Sequence, residues 1–256
     1  SEMCIRDRSK ITPPTASDIT YGQTLADSTL TGGSVEGIDG AWAWSDPTIK
    51  PNRYDNEDYS DIFTYVVVFT PTDSGYATIT ENINIKLNNA FATIETAPAG
   101  AVIAYGQSLA NSVIDGGKVI GVNGEELYGT WSWTDTTIVP EVGTAKYAAT
   151  FFPDSINYSM TAFDSVSVTV VKATPEIQGD QPTVAEIAFG QQLSDAAITS
   201  TVSSPEGTML EGTWQWTDGT AVLPAGTHER TAIFTPADTD HYEPLEVTLS
   251  VTVSKK

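Results

Sequence analysis

Three tryptophan pairs are the residues of this sequence whose type and spacing could bind a ligand. They form W-x-W phrases and account for every tryptophan in the chain: Trp42 and Trp44, Trp131 and Trp133, Trp214 and Trp216. Indole rings present large, rigid apolar faces, so an exposed pair predicts a surface that stacks on sugar rings. A buried pair would instead predict part of a hydrophobic core.

Two acidic clusters are the candidates for a metal site. Carboxylate oxygens are the ligands that Ca²⁺ prefers, but neither cluster has the spacing of an EF-hand or a nonapeptide repeat. The clusters also do not recur along the chain. We therefore predict turn residues and no cofactor, with calcium as the weaker alternative. The clusters are Asp238, Asp240 and Glu243, and Asp55, Glu57, Asp58 and Asp61.

The residues that catalysis would need are scarce. The chain has two histidines, His228 and His241, and one cysteine, Cys4, which excludes an intrachain disulfide. No zinc-binding H-x-x-x-H or C-x-x-C phrase, no phosphate-binding G-K-[ST] phrase and no nucleophile elbow is present. The sequence predicts a protein that is not an enzyme.

The charge balance limits the partners. Thirty-three acidic and 12 basic residues give a net charge of −21. Phosphate backbones and anionic lipids are bound by basic surfaces, so nucleic acid and anionic membranes are disfavoured. No window of the sequence approaches the roughly 18 apolar residues of a membrane span. We predict no membrane insertion in this segment.

The elements that position these residues are three internal repeats. Thr20, Ala104 and Ala188 open the phrases TYGQTL, AYGQSL and AFGQQL, 84 residues apart both times. A W-x-W pair follows each phrase, and then an F-x-P phrase and a tyrosine. The phenylalanines are Phe69, Phe151 and Phe234, and the tyrosines are Tyr76, Tyr158 and Tyr242. We expect repeats at residues 11–90, 91–174 and 175–256, called the first, second and third repeat below.

Residues 1–10 differ from the rest of the chain. The string MCIRDR resembles translated sequencing-adapter read-through, as found at the ends of metagenomic fragments. We interpret this segment as non-native sequence or a linker and exclude it from the prediction of the fold.

The hydrophobic pattern has a period of two throughout. Val247, Leu249, Val251 and Val253 alternate with polar residues, and comparable segments end the other two repeats. Clusters of Gly, Pro, Asp and Asn separate such segments, which predicts an all-β fold. Residues i and i+2 of a strand share a face, so both indoles of a pair point the same way.

Energetics favour a core position for that face. A buried indole pair stabilises a domain by roughly 8–12 kcal/mol as an upper bound, comparable with the net stability of a small domain. We therefore predict that the tryptophans, together with the phenylalanines and tyrosines of the repeated phrases, form the structural core. The exposed, sugar-binding arrangement stays the alternative.

Together these phrases resemble the bacterial Ig-like repeats of large secreted and surface-anchored proteins. The resemblance rests on Y-G-Q-x-L, G-T-W-x-W-x-D, F-x-P-x-D-x-x-Y and a V-x-V-x-V ending before K-A-T-P, over residues 11–256. It implies three tandem immunoglobulin-like sandwiches in an elongated array, about 100–130 Å long if each is ~35–45 Å. It also implies an extracellular or cell-surface location and no catalytic residues.

The resemblance leaves two functions open. One is a structural spacer, or stalk, of an adhesin-like protein, whose partners are the neighbouring repeats of the same chain. The other is a module that binds a glycan or a host-surface ligand through exposed aromatic side chains of the W-x-W strands.

Overall fold

The computed structural model describes residues 10–255. The segment interpreted as non-native or linker sequence lies outside the described residues, apart from Lys10. Strands and single-turn 3-10 helices are the regular elements of the described chain, in three similar sheet units. The all-β prediction is confirmed.

The elements are numbered in chain order. The first repeat contains β1 (Ile11–Thr12), β2 (Thr15–Ala16), β3 (Ile19–Thr20), β4 (Leu30–Thr31), β5 (Ser34–Val35), β6 (Gly40–Trp44), β7 (Ile62–Pro71) and β8 (Ile79–Asn88). The second contains β9 (Thr93–Thr96), β10 (Ala99–Gly100), β11 (Ile103–Ala104), β12 (Ile114–Asp115), β13 (Lys118–Ile120), β14 (Glu126–Leu127), β15 (Gly129–Trp133), β16 (Gly143–Pro153) and β17 (Thr161–Val171). The third contains β18 (Glu176–Ile177), β19 (Thr183–Val184), β20 (Ile187–Ala188), β21 (Ile198–Thr199), β22 (Val202–Ser203), β23 (Gly212–Trp216), β24 (Gly226–Pro236) and β25 (Leu245–Ser254). The 3-10 helices are Leu25–Asp27, Arg53–Asp55, Leu109–Asn111 and Leu193–Asp195.

The described chain divides into two compact units, and the division passes through the second repeat. The first unit takes in the described residues up to Ala97, with Gly117–Ser132 and Thr150–Phe163. The second takes in Pro98–Gly116, Trp133–Ala149 and the chain from Asp164 onward. Each unit therefore contains one end repeat together with the part of the second repeat that contacts it.

The end repeats share one sheet topology. Their four-stranded sheets have the orders β3-β8-β7-β6 and β20-β25-β24-β23. The long strands pair antiparallel, whereas the short strands β3 and β20 run parallel to β8 and β25. In the second repeat, β10 and β11 likewise run parallel to β17. Alternating apolar side chains on the long strands give each sheet one buried face.

Short strand pairs and a 3-10 helix cover that face in the first repeat. Strand β2 pairs with β4, and Leu25 at the start of the 3-10 helix is buried beside Ile19 and Ile85. Trp44 belongs to the same cluster. Each fully buried aliphatic side chain stabilises the fold by about 1.5–3 kcal/mol relative to exposure.

Within residues 10–255, no helix has the length and apolar character needed to cross a membrane.

Candidate functional site: repeated turns and junctions

The second tryptophan of each pair lies on the buried face of its sheet, and its ring nitrogen forms a hydrogen bond. Trp44 and Trp133 are 8% and 7% exposed, and Trp216 is half-buried. Each indole Nε1 donates to the backbone oxygen of a residue just after the 3-10 helix. The distances are 3.3 Å to Ser28, 2.6 Å to Ser112 and 2.9 Å to Ala196. This indole therefore links the W-x-W strand to the covering segment.

The first tryptophan of each pair packs on the phenylalanine of the F-x-P phrase. The ring centroids lie 5.3, 5.1 and 5.4 Å apart with interplanar angles of 53°, 51° and 53°. The three indoles are half-buried, whereas the phenylalanines are buried. Aromatic pairs in such tilted contact add about 0.5–1.5 kcal/mol beyond the area that they bury. The pairs are Trp42–Phe69, Trp131–Phe151 and Trp214–Phe234.

Sequence reasoning assigned no role to the glycine at the start of each W-x-W strand, although the glycine is part of the G-T-W-x-W-x-D phrase. Gly40, Gly129 and Gly212 lie where the phenylalanine ring and a strand carbonyl approach the backbone. A Cβ on Gly212 would lie 2.4 Å from Cζ of Phe234 and 2.5 Å from the oxygen of Thr235. The signal was available, because a glycine stands two residues before the first tryptophan in all three repeats.

The aspartate that follows two of the W-x-W pairs closes a turn. Asp46 accepts hydrogen bonds from the backbone N of Thr48 at 3.0 Å and from its hydroxyl at 2.6 Å. Asp135 accepts the same two bonds from Thr137. The bond from the threonine hydroxyl is the larger cause, and the bond from the backbone N the smaller, that lower the pKa of both carboxyls. Because both bonds close a local turn, the two aspartates are turn-forming residues.

The Y-G-Q-x-L phrase forms a tight turn that displays an aromatic ring, here called the aromatic-glycine turn. Its glycine has a φ near +95°, a conformation open to glycine but strained for other residues. Its glutamine Oε1 accepts a hydrogen bond from the backbone N three residues earlier, and its leucine is buried in the core. The turns are Tyr21-Gly22-Gln23, Tyr105-Gly106-Gln107 and Phe189-Gly190-Gln191.

In the first unit, the first aromatic-glycine turn lies against the second repeat. The ring of Tyr21 meets the ring of Tyr158 edge to face, with centroids 5.4 Å apart. A Cβ on Gly22 would come within 2.6 Å of Cγ2 of Val122, so a larger residue here would require the Val122 side chain to shift. The Tyr158 hydroxyl accepts from the backbone N of Val122 at 2.9 Å and donates to Glu125.

Backbone hydrogen bonds complete this first junction. The buried Ala90, which connects the first and second repeats, donates to the oxygen of Asn157 at 3.0 Å and accepts from Ser159 at 2.8 Å. The side chain of Asn157 accepts from Arg53 N at 3.1 Å and donates to Asn52 at 3.0 Å. The junction is therefore ordered on both sides of the connecting residue.

The second junction, in the second unit, repeats this arrangement. The buried Ala173 donates to the oxygen of His241 and accepts from Glu243, both at 2.9 Å. The Tyr105 ring meets Tyr242 edge to face at 5.7 Å and stacks on His241 at 4.1 Å. Gly106 approaches the carboxylate of Glu206, where its Cβ would come within 2.6 Å of Oε2.

His241 places a titratable group in this second junction. Its Nδ1 lies 2.8 Å from Oδ2 of Asp238, and its Nε2 lies 2.9 Å from Oε2 of Glu141 in the second repeat. The hydrogen bond with Asp238 is the largest cause that raises the pKa of His241, and Glu141 adds to it. The same bond lowers the pKa of Asp238. The protonated imidazole thus holds together carboxylates of two repeats.

Comparisons with known proteins give structural similarity only. No protein-family model matches the sequence, and no curated protein matches it either. The structure of the I9–I11 tandem from titin is 11% identical, covers 97% of this chain and all of its own length, and has a TM-score of 0.29. Drosophila N-cadherin EC1-4 is 12% identical with a TM-score of 0.30, over 98% of this chain and 76% of that one.

A third structure, Sidekick-1 immunoglobulin domains 1-5, is 11% identical over 96% of this chain with a TM-score of 0.31. The chain spans 60% of the length of that structure. All three are tandem arrays of immunoglobulin or cadherin domains. Similarities this low carry no argument about activity or partners.

The three tyrosines that were predicted as core residues differ in burial. Tyr158 is buried and Tyr242 half-buried, but Tyr76 is 36% exposed and lies outside the core clusters. The difference has a physical reason: Tyr158 and Tyr242 are each covered by the aromatic ring of the preceding repeat, and no such ring contact to Tyr76 occurs among residues 10–255.

The acidic residues considered as calcium ligands belong to the local structure of their own loops. Asp58 accepts from the backbone N of Ser60, Asp55 ends a 3-10 helix, and Asp238 and Asp240 lie in the loop of His241. Within residues 10–255, no three His, Cys, Asp or Glu side chains are grouped to hold a metal ion.

The pH dependence of the second junction follows from His241. A raised pKa in the folded state means that the stabilisation is complete below about pH 6.5 and is lost as the pH rises through the raised value. We expect amides near Ala173 to exchange faster, relative to their intrinsic rates, at pH 9 than at pH 6. The substitution His241→Gln should remove this difference, and His228→Gln should retain it. A wild-type pH profile in His241→Gln would contradict the assignment.

Tyr158→Phe tests the hydroxyl at the first junction. Burial and the bond to Glu125 raise the pKa of Tyr158, while partial burial of Glu125 is outweighed by its hydrogen bonds, so its pKa is lowered. The substitution removes the acceptor of Val122 N and one of the hydrogen bonds of Glu125, which keeps its bond from Asn123 N at 3.0 Å. We expect a loss of about 0.5–1.5 kcal/mol from the stability of the second repeat. Hydrogen exchange of second-repeat amides measures this loss. Glu125→Gln, which still accepts a hydrogen bond, should cost less; equal losses would contradict the argument.

Proposed function

We propose that this chain is a non-catalytic structural spacer, or stalk segment, of a bacterial extracellular or cell-surface protein of the adhesin type. The repeated phrases serve two tasks, which are to build each repeat and to join it to the next. A spacer needs these properties and no reactive site. The extracellular location and bacterial source are part of the proposal and rest on the resemblance of the repeated phrases.

The observation that carries this proposal is the recurrence of the junction. Ala90 and Ala173 each pair through the backbone with the tyrosine loop of the following repeat, and an aromatic-glycine turn packs on the same loop. Flexible linkers rich in Gly and Ser leave neighbouring domains free to reorient, whereas a hydrogen-bonded connection restricts them. The junction geometry supports a chain of mechanically connected repeats.

The same alanines support the proposed domain bounds. The bounds at 11–90, 91–174 and 175–256 place one alanine at or beside each change of repeat. Because the last long strand of a repeat ends at Asn88 or Val171, each connecting segment is only a few residues long. We propose that the three ranges are the domains of this segment.

A glycan array tests this function against the ligand-binding alternative. The probe is the wild-type chain alongside Trp42→Ala, Trp131→Ala, Trp214→Ala and Trp216→Ala, since these four half-buried indoles are the ones that a sugar could reach in part. The spacer function predicts no binding that depends on these side chains. Glycan binding by the wild type that disappears in a variant with wild-type circular dichroism would replace the spacer with a binding module.

A further inference from the structure

Among residues 10–255, the first repeat has a cleft that no aromatic-glycine turn fills, at the place where the other two repeats receive one. The cleft has a volume of about 450 Å³ and lies between two loops. Its lining residues are Gly37, Ile38, Asp39, Thr72, Asp73 and Tyr76. Tyr76 occupies the position in its repeat that Tyr158 and Tyr242 occupy in theirs, six or fewer residues after the F-x-P phrase.

Corresponding loops form the filled sockets of the other repeats. In the second repeat, Val122 and Tyr158 contact the turn of Tyr21 and Gly22. In the third, Glu206 and Tyr242 contact the turn of Tyr105 and Gly106. Each socket therefore combines the loop before the W-x-W strand with the loop that carries the tyrosine, as the cleft at Tyr76 does. The word socket is used below for this pair of loops.

The loops of the open cleft are already held in place. Thr72 N donates to the oxygen of Asp39 at 2.9 Å, which ties the two loops together. Asp73 Oδ1 accepts from Gly75 N at 2.9 Å and closes the second loop. A cleft whose walls are ordered before binding loses less conformational entropy when it is occupied.

The third aromatic-glycine turn is the matching free element. Phe189 is 48% exposed, and a Cβ on Gly190 would have no atom within 4 Å, in contrast to Gly22 and Gly106. The backbone of this turn has the same conformation, with φ at +97° against +96° and +92°. Gln191 closes it through the same hydrogen bond, at 2.6 Å.

We propose that two copies of this chain associate head to tail, with the Phe189-Gly190 turn of one copy seated in the Tyr76 socket of another. The turn and the socket are different surfaces, so the contact is heterologous. The inference goes beyond the spacer function, because it assigns a partner to surfaces that the two described junctions do not use.

Electrostatics predict how the association responds to salt. The chain carries a net charge of −21, and Asp39 and Asp73 line the cleft, so copies of the chain repel one another. The turn itself contributes no charged side chain. Salt screens the repulsion and leaves the aromatic contact in place, so self-association should strengthen between about 0.05 and 0.5 M NaCl.

Sedimentation velocity on the full chain tests the proposal, in a Cys4→Ser background that excludes disulfide dimers. Between about 10 μM and 1 mM, the wild-type weight-average sedimentation coefficient should rise, because a single small interface without a linker is weak. Phe189→Ser lacks the turn and Tyr76→Ser lacks the socket, so each variant alone should stay monomeric. Phe91→Ser, which removes a more exposed ring elsewhere, should associate like the wild type.

Mixing the two deficient variants tests whether the turn of one copy occupies the socket of another. Tyr76→Ser retains the turn and Phe189→Ser retains the socket, so the equimolar mixture should form 1:1 dimers and stop there. A monomeric wild type at about 1 mM, association by either variant alone, or no dimer in the mixture would overturn the proposal. Thermal unfolding of both variants controls for folding, and none of these outcomes affects the junctions on which the spacer function rests.

Discussion

Trp44→Ala is expected to lower the free energy of unfolding of the first repeat by about 3–5 kcal/mol. Trp44 is 8% exposed, packs in the cluster of Leu25 and Ile85, and donates its ring N–H to Ser28. Alanine leaves a cavity and an unpaired carbonyl. Three repeats need not unfold in one transition, so hydrogen exchange of the β7 and β8 amides is the appropriate measurement.

Trp42→Ala is the matched control, two residues away on the same strand. Its indole is half-buried and packs on Phe69 at 5.3 Å, so its removal forfeits less buried area than the removal of Trp44. We expect a smaller loss than for Trp44→Ala. Equal effects of the two substitutions, or a Trp44→Ala chain as stable as the wild type, would contradict the division of roles within the W-x-W pair.

Gly212→Ala is expected to destabilise the third repeat by about 1–3 kcal/mol, although it adds one methyl group. The new Cβ would lie 2.4 Å from the Phe234 ring and 2.5 Å from the oxygen of Thr235. The ring can shift, but the oxygen belongs to the neighbouring strand β24 and is held by its pairing with β23. Hydrogen exchange of third-repeat amides, together with the exposure of Trp216 to acrylamide quenching, follows the loss.

Gly219→Ala is the control in the same repeat. A Cβ at this position would lie 3.5 Å from Cβ of Ser194, an ordinary van der Waals distance. Replacing glycine at an unstrained, uncrowded position changes stability by less than about 1 kcal/mol, often favourably. If Gly219→Ala destabilised the third repeat as much as Gly212→Ala, crowding against β24 would not be the reason for the glycine.

The local signals of the sequence predicted the fold well. Alternation in segments such as Val247 to Val253 specifies strands, and the internal recurrence of Y-G-Q and W-x-W marks three copies of one unit. Those signals are local because the alternation of a strand is a pattern of consecutive residues. The two-faced character of the W-x-W strand was likewise readable, but periodicity gives both indoles the same face and does not rank their burial.

Which indole of a pair is more buried depends on contacts with residues that are distant in sequence. Trp133 donates to Ser112 and Trp131 packs on Phe151, and neither partner is implied by the spacing of the pair. The junctions were unpredictable for the same reason, because Tyr21 meets Tyr158 across 137 positions of the chain. Tyr76 shows the limit most clearly: its phrase matches those of Tyr158 and Tyr242, yet it is exposed because its surroundings differ.

The central claim is that the repeated residues order each junction as well as building each repeat. Hydrogen exchange of the Ala90 and Ala173 backbone amides in the wild-type chain tests this claim most directly, because each amide donates to the tyrosine loop of the following repeat. We predict that the Ala90 amide exchanges much more slowly than its intrinsic rate, and that the Ala173 amide does so too below about pH 6.5, where His241 is protonated. Exchange of either amide at its intrinsic rate under these conditions would show an open junction and would contradict the account.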